Sequence, residues 1–161
     1  MGTKNLEVKL GFSQFPAEYT CKGRNVSPKI GLSGLNAESM NAESMNVKSI
    51  AIIMDDPDAS PETFTHWVIW NIKPTEVIPG SIPNTANVTK PIEAVQGKNS
   101  EETIGYFGPC PPPGKPHRYF LRFYGLDSML DLRPGSNRTG LEKAMVGHVI
   151  KQGEAMAIYG R

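Results

Sequence analysis

Charge of one sign is scarce in this chain. Its 161 residues carry 17 Lys and Arg against 16 Asp and Glu, a formal net charge of +1. There is no bulk charge to condense onto nucleic acid or an anionic lipid surface. Long apolar runs are missing as well. The longest, Ile50-Ala51-Ile52-Ile53-Met54, is far short of the roughly 20 residues that cross a bilayer, so no integral membrane association is expected. The segment from Met1 to Leu6 has no secretory h-region, and Leu6 stands where an N-myristoylation motif has Ser or Thr. A soluble, cytoplasmic protein is the expectation. Cysteine is limited to Cys21 and Cys110; neither has a CxxC partner, which leaves a structural zinc site unsupported. Free thiols are expected in a reducing cytosol, and a disulfide requires a fold that brings these distant positions together.

What the chain does have is Gly and Pro, 16 and 14 residues, more than average but below the disordered range of about 25–30%. Its length suits one domain, 1–161, at roughly 150 residues per domain. Leu6, Val8, Leu10 and Phe12 alternate with polar or small residues, the pattern of a half-buried strand. Residues 49–54 read as a strand buried on both faces. From His66 to Ile72 the run is β-branched and aromatic, with His66, Val68 and Trp70 facing one way and Trp67 and Ile69 the other. From Arg118 to Tyr124, Tyr119, Leu121 and Phe123 oppose Arg118, Phe120 and Arg122. A short strand over 155–159 closes the chain. The spacing predicts a helix over 140–150 with Leu141, Ala144, Met145, His148 and Val149 on one face and Gly153 as its stop. Many strands and one helix near the end describe a mainly β domain of sandwich type, not a doubly wound α/β fold. The tandem pentapeptide Asn36-Ala37-Glu38-Ser39-Met40 and Asn41-Ala42-Glu43-Ser44-Met45 reads as a duplication in a surface loop.

Polar groups with chemical potential fall in three places: Asp55-Asp56-Pro57-Asp58-Ala59 after the buried strand, Thr65-His66-Trp67, and Gly108-Pro109-Cys110-Pro111-Pro112 with His117-Arg118-Tyr119. If the three strands are neighbours, these groups converge on one pocket. Each also has a purely structural reading. Asp-Pro-Asp is an Asx-turn sequence, the Gly-Pro-Cys-Pro-Pro run is a rigid connector, and a histidine at a strand start is commonly a loop hydrogen-bonder. His148 reads as a packed residue of the helix, and Trp67 and Trp70 as core or pocket-rim packing.

Taken together and in order, these motifs resemble those of the phosphatidylethanolamine-binding protein family, which includes the Raf kinase inhibitor protein. The bacterial and archaeal branch is the more similar, through Tyr19-Thr20-Cys21-Lys22-Gly23, Asn25-Val26-Ser27-Pro28, Phe64-Thr65-His66-Trp67-Val68, Tyr124-Gly125-Leu126-Asp127, Gly147-His148 and Tyr159-Gly160-Arg161. The resemblance runs essentially end to end. It implies an antiparallel β-sandwich with a short C-terminal helix and an anion pocket at one end. Asp56 matches the pocket aspartate, His66 the histidine of the second motif, Pro111 and Pro112 the pocket wall, and His117 and Tyr119 the third motif. Ser60 departs from the family pattern, which has Pro there, and Pro61 follows one place later. Cys21 and Cys110 take places in the resembling motifs that put both at the pocket border, where a disulfide would clamp two loops.

The expected chemistry is hydrogen bonding to a phosphate or carboxylate by two imidazoles and a tyrosine hydroxyl, joined by backbone N–H groups of the Gly-Pro-rich loop. Asp56 would orient and charge a histidine, or accept a proton from a singly protonated phosphate or an ethanolamine-like ammonium. The same residues suggest a facial triad for non-haem iron, but the resemblance implies no metal and no cofactor. Gly31-Leu32-Ser33-Gly34 misses Gly-x-Ser-x-Gly by one place, so a non-enzymatic role is expected. Family members inhibit kinases or serine proteases, which makes such a protein partner the alternative to a small ligand. A homodimer is left open.

Overall fold

The computed structural model describes residues 4–35 and 46–161. The duplicated pentapeptide at 36–45 lies outside them. The large sheet is built around β4 (Ser49–Asp56), which is buried along its whole length and pairs antiparallel on one side with β5 (Phe64–Ile72) and on the other with β9 (His117–Leu126). β10 (Val149–Tyr159) pairs antiparallel with β9, and β1 (Lys4–Asn5) runs parallel to β10 at that edge. β8 (Ala94–Gln96) and β7 (Asn87–Val88) complete the other edge, giving the order β1-β10-β9-β4-β5-β8-β7. A second sheet holds β2 (Glu7–Lys9), β3 (Ile30–Ser33) and β6 (Val77–Ile78) in the order β2-β3-β6.

Two apolar layers explain why β4 is a continuous apolar run and not an alternating one. Ile50, Ile52 and Met54 point toward the small sheet, where they meet Trp67, Ile69, Tyr119, Leu121, Phe123, Ile30, Leu32 and Ile78. Ala51 and Ile53 point the other way and meet Val68, Trp70 and the helix residues Leu141 and Met145. Trp67 and Trp70 are both fully buried, so they are core and not pocket rim. Leu6, Val8, Leu10 and Phe12 all pack on the first layer, although only the stretch around Val8 is a strand, and Gly11 at φ +82° turns the chain.

The helix α1 (Arg138–Met145) starts at Asn137, whose Oδ1 accepts a hydrogen bond from the Gly140 N–H at 3.0 Å. It ends earlier than its apolar spacing suggests, because Gly147 adopts φ +83°. His148 is therefore not a helix-face residue: it sits in the turn, half exposed, with Nδ1 2.8 Å from Asp127 Oδ1. Gly153 is no helix stop either. It lies inside β10 opposite Phe123, where a Cβ would come within 2.1 Å of the Leu6 carbonyl oxygen. β10 is accordingly much longer than the expected strand at 155–159. No helix among the described residues is long and apolar enough to cross a membrane.

Candidate functional site

The ends of β4, β5 and β9 lie side by side, and a break in strand register decides what they present. Met54 pairs with Trp67, yet Asp55 pairs with Thr65, so His66 is the extra residue of a β-bulge. Alternation alone puts His66 with Val68 and Trp70; the bulge turns it to the opposite face, that of Trp67. There its ring packs 5.3 Å from Tyr119, 4.6 Å from Phe64 and 6.1 Å from Phe107, centroid to centroid. Its Nδ1 bonds to the Phe107 carbonyl, while the Phe107 N–H donates to the His66 carbonyl at 3.0 Å. Burial pushes the His66 pKa down to about 4, against the opposing pull of the Phe107 carbonyl and of Asp56 and Asp55. His66 is thus neutral near pH 7. With Nδ1–H donating, it presents Nε2 as an acceptor, which corrects the expectation that both imidazoles donate to an anion.

The acidic cluster separates into three roles. Asp56 Oδ1 accepts from the Asp58 N–H at 2.8 Å, the Asx turn that its sequence suggests, and Oδ2 lies 2.6 Å from His117 Nδ1. One nearly buried carboxylate therefore both shapes the turn and orients the imidazole, leaving His117 Nε2 to face the cavity. Asp58 is held by the Arg118 guanidinium at 2.9 and 3.0 Å and by the Arg118 N–H at 2.8 Å, which lowers its pKa to about 2. Asp55, one residue earlier on the strand, faces the other side of the sheet and bonds to Arg122 and to Arg138 of α1. Tyr119 comes in beside His117, with rings 6.4 Å apart. Its hydroxyl is buried, with the Asp56 carboxylate near enough to act on it but no hydrogen bond of ordinary geometry to any described residue. Burial, followed by the nearby Asp56 charge, raises its pKa far above the usual phenol value.

The third wall is the Gly108–Pro112 loop, stitched to residues 19–25. Tyr106 Oη donates to the Tyr19 carbonyl at 2.7 Å, the Cys21 N–H to the Pro109 carbonyl at 3.1 Å, and the Gly108 N–H to Asn25 Oδ1 at 2.8 Å. These contacts bring Cys21 and Cys110 to a Cα separation of 5.4 Å, and the two form a disulfide. The expected free thiols are therefore corrected to a covalent clamp across the two loops. Of the expected backbone donors, Pro109, Pro111, Pro112 and Pro113 have no N–H and that of Gly108 is engaged by Asn25, which narrows the loop's donors at the cavity to the Cys110 N–H. Gly108 is required sterically, since a Cβ would fall 2.1 Å from the Tyr19 carbonyl oxygen. Gly108→Ala is expected to destabilise the fold by roughly 1–3 kcal/mol or more, by forced displacement of packed backbone. A urea unfolding series checks this, and an unchanged midpoint would contradict the assignment.

Between these walls lies a cavity of about 330 Å³. All six residues singled out from the sequence, Asp56, His66, Pro111, Pro112, His117 and Tyr119, line it. The facial-triad arrangement is not what they form: Asp56 is bonded to His117, and no metal-holding group of three or more His, Cys, Asp or Glu exists among the described residues. The sequence profile of the phosphatidylethanolamine-binding protein family matches residues 8–160 of this chain. The chain belongs to the phosphatidylethanolamine-binding protein family. A UPF0098 protein of Pyrococcus abyssi is 50% identical over 147 residues, covering 91% of this chain and 78% of the relative. A phosphatidylethanolamine-binding protein homologue from Chlamydia trachomatis superposes with a TM-score of 0.81 at 30% identity, over 99% of both chains. Escherichia coli YbcL, described as a member of the mammalian family, gives 0.80 at 26% identity, also over 99% of both chains.

In this member of the phosphatidylethanolamine-binding protein family, reading the sequence missed several lining residues. Phe64 and Phe107 form an apolar side, and Glu101 places a further carboxylate at the rim. Phe64 had a signal, standing two residues before His66. Glu101 had none, because its loop is shaped by Asn99, whose Oδ1 accepts from the Glu101 and Thr103 N–H groups. Ser60 lines the pocket and is followed by a cis Ser60–Pro61 peptide.

Proposed function

We propose that this pocket is a non-enzymatic binding site for a small phosphate- or carboxylate-bearing ligand, such as a phosphoethanolamine-like head group, in a regulatory protein of the cytoplasm. The observation that carries the reading is the Tyr119 hydroxyl, fully buried yet without a hydrogen bond of ordinary geometry to any described residue, lining a cavity beside an imidazole whose orientation Asp56 sets. A buried donor left unsatisfied costs about 1–3 kcal/mol, and a ligand oxygen seated between Tyr119 and His117 Nε2 recovers that cost. The charge of the lining favours a zwitterion over a bare anion. Asp58 is paired with Arg118 and Asp56 is bonded to His117, which leaves Glu101 to face an ammonium group. Phe64 and Phe107 suit the short carbon linker between the two charges. The Cys110 sulfur, the thiol the pocket would offer as a nucleophile, is bonded to Cys21. A disulfide is compatible with a cytoplasmic setting, since intracellular proteins of hyperthermophiles retain them.

Calorimetric titration of phosphate and O-phosphoethanolamine into wild type and His117→Ala tests the reading. Binding is expected in the wild type and a loss of about tenfold or more in the variant, the scale of one charge-assisted hydrogen bond. If the folded wild type binds neither compound, the small-ligand reading is overturned, and inhibition assays against kinases and serine proteases become the next test.

A further inference from the structure

Among the polar atoms that the anion reading does not use is one on His66. His66 donates from Nδ1 to the Phe107 carbonyl, an oxygen that only accepts, so the proton of the neutral ring resides on Nδ1. Nε2 then carries a lone pair. His66 is 3% exposed and lines the cavity, and the Gly108 backbone beside it, like the Phe107 carbonyl, raises the ring's pKa against the effect of burial. The surroundings are aromatic, with Phe64, Phe107 and Tyr119 packed against it. An oxygen without a proton cannot bond to this nitrogen; an acceptor would face an acceptor.

We propose that the site selects a ligand group carrying its own proton, a singly protonated phosphate monoester in preference to a sulfate monoester, with His66 Nε2 accepting the hydrogen bond from the P–OH. This inference rests on the anion-pocket reading above and adds its specificity. An unprotonated oxygen accepts from Tyr119 Oη, and the protonated one donates to His66 Nε2. The two side chains thus read the proton inventory of the ligand, one as donor and one as acceptor.

The charged and titratable groups around His66 are Asp55 and Asp56 on β4, Asp58 and Glu101 at the rim, and His117 and Tyr119 on β9. The carboxylates draw a proton toward the ring, but burial outweighs them and holds its pKa near about 4. The dianion of a phosphate monoester takes up one proton near pH 6, its second pKa. Between these two values the ligand is protonated while His66 still accepts, and the ester group carries one negative charge, as a sulfate monoester does.

The experiment is calorimetry at pH 5 with O-phosphoethanolamine and its sulfate counterpart, 2-aminoethyl hydrogen sulfate, which differ at the ester by that one proton. Wild type is expected to bind the phosphate ester about tenfold or more tightly, because a site built to bond a hydroxyl discriminates strongly against an analogue lacking it. In His66→Leu the ratio is expected to fall to about twofold, mainly through lost phosphate affinity. Equal affinity of wild type for both esters overturns the proposal and leaves the pocket reading standing. Binding of neither overturns both. Because the leucine variant depends on its folding, nitrogen-15 NMR of wild-type His66 provides an independent arm: Nδ1 protonated and Nε2 bare at pH 7 is expected, and the reverse overturns the proposal.

Discussion

Replacing Cys21 and Cys110 together by serine is expected to lower the unfolding free energy by roughly 4–5 kcal/mol on the chain-entropy account of a long closed loop. The bridged residues are 89 positions apart, and loop-closure entropy rises with the logarithm of that separation. The disulfide acts mainly on the unfolded chain. In the native state the same loops are also joined by the Cys21 N–H to the Pro109 carbonyl, Gly108 to Asn25, and Tyr106 to Tyr19, so the fold itself survives the double substitution. For a chain of 161 residues, a loss of that size corresponds to a fall in melting temperature of roughly 10 °C or more. Thermal unfolding of the serine variant and of wild type with and without reductant makes the measurement. Coincident transitions would show that the loops gain nothing from the covalent link.

Acid is the second large lever, through His66. Its pKa lies at 6.5 in an unfolded chain and at about 4 in the folded protein. Between those values the unfolded chain takes up a proton that the native ring refuses, so stability is lost as the pH falls from about 6.5 toward 4. The difference amounts to about 3 kcal/mol. His66 is nearly fully buried, so solvent screening removes little of it. Asp58 acts in a separate window: its pKa, lowered to about 2 by Arg118, gives stability that is present above pH 3.8 and lost only below it. Urea unfolding at pH 7 and pH 4.5 is expected to show a marked loss in wild type and a much smaller one in His66→Phe. The phenylalanine variant starts from lower stability, because the Phe107 carbonyl loses its donor, but that deficit does not change with pH. Parallel pH profiles for the two proteins would falsify the assignment.

These two effects depend on features that a reading of the residues did not place equally well. The apolar continuity of Ile50 to Met54 and the alternation from Arg118 to Phe123 specify strands directly, because burial on two faces or on one leaves its period in the sequence. The residues of the pocket were legible for a different reason: Asp56, His66, Pro111, Pro112, His117 and Tyr119 stand in ordered motifs at strand ends, and strand ends are where neighbouring strands deliver side chains to a common point. The Asx turn at Asp56 was legible locally, since its bond spans two residues.

Other features are set by contacts between distant segments. β10 extends through Gln152, Gly153 and Glu154, residues with little strand propensity, because β9 offers them a ladder and Gly153 makes room for the Leu6 backbone. Asp55 and Asp56 are adjacent in sequence but serve opposite faces of one sheet, one holding Arg122 and Arg138 and the other His117.

By itself, then, the sequence determined the mainly β architecture, the strands at the centre of the large sheet and the set of side chains that meet at their ends, since each follows from periodicity or from ordered local motifs. Only the tertiary structure decided three things. A one-residue bulge against β4 turned His66 into the pocket, loop stitching brought Cys110 to Cys21, and burial against Phe64, Phe107 and Tyr119 lowered the pKa of the His66 ring. The physical reason is common to all three. Register, proximity and dielectric environment are properties of what surrounds a residue, and the surroundings here come from segments remote in the chain.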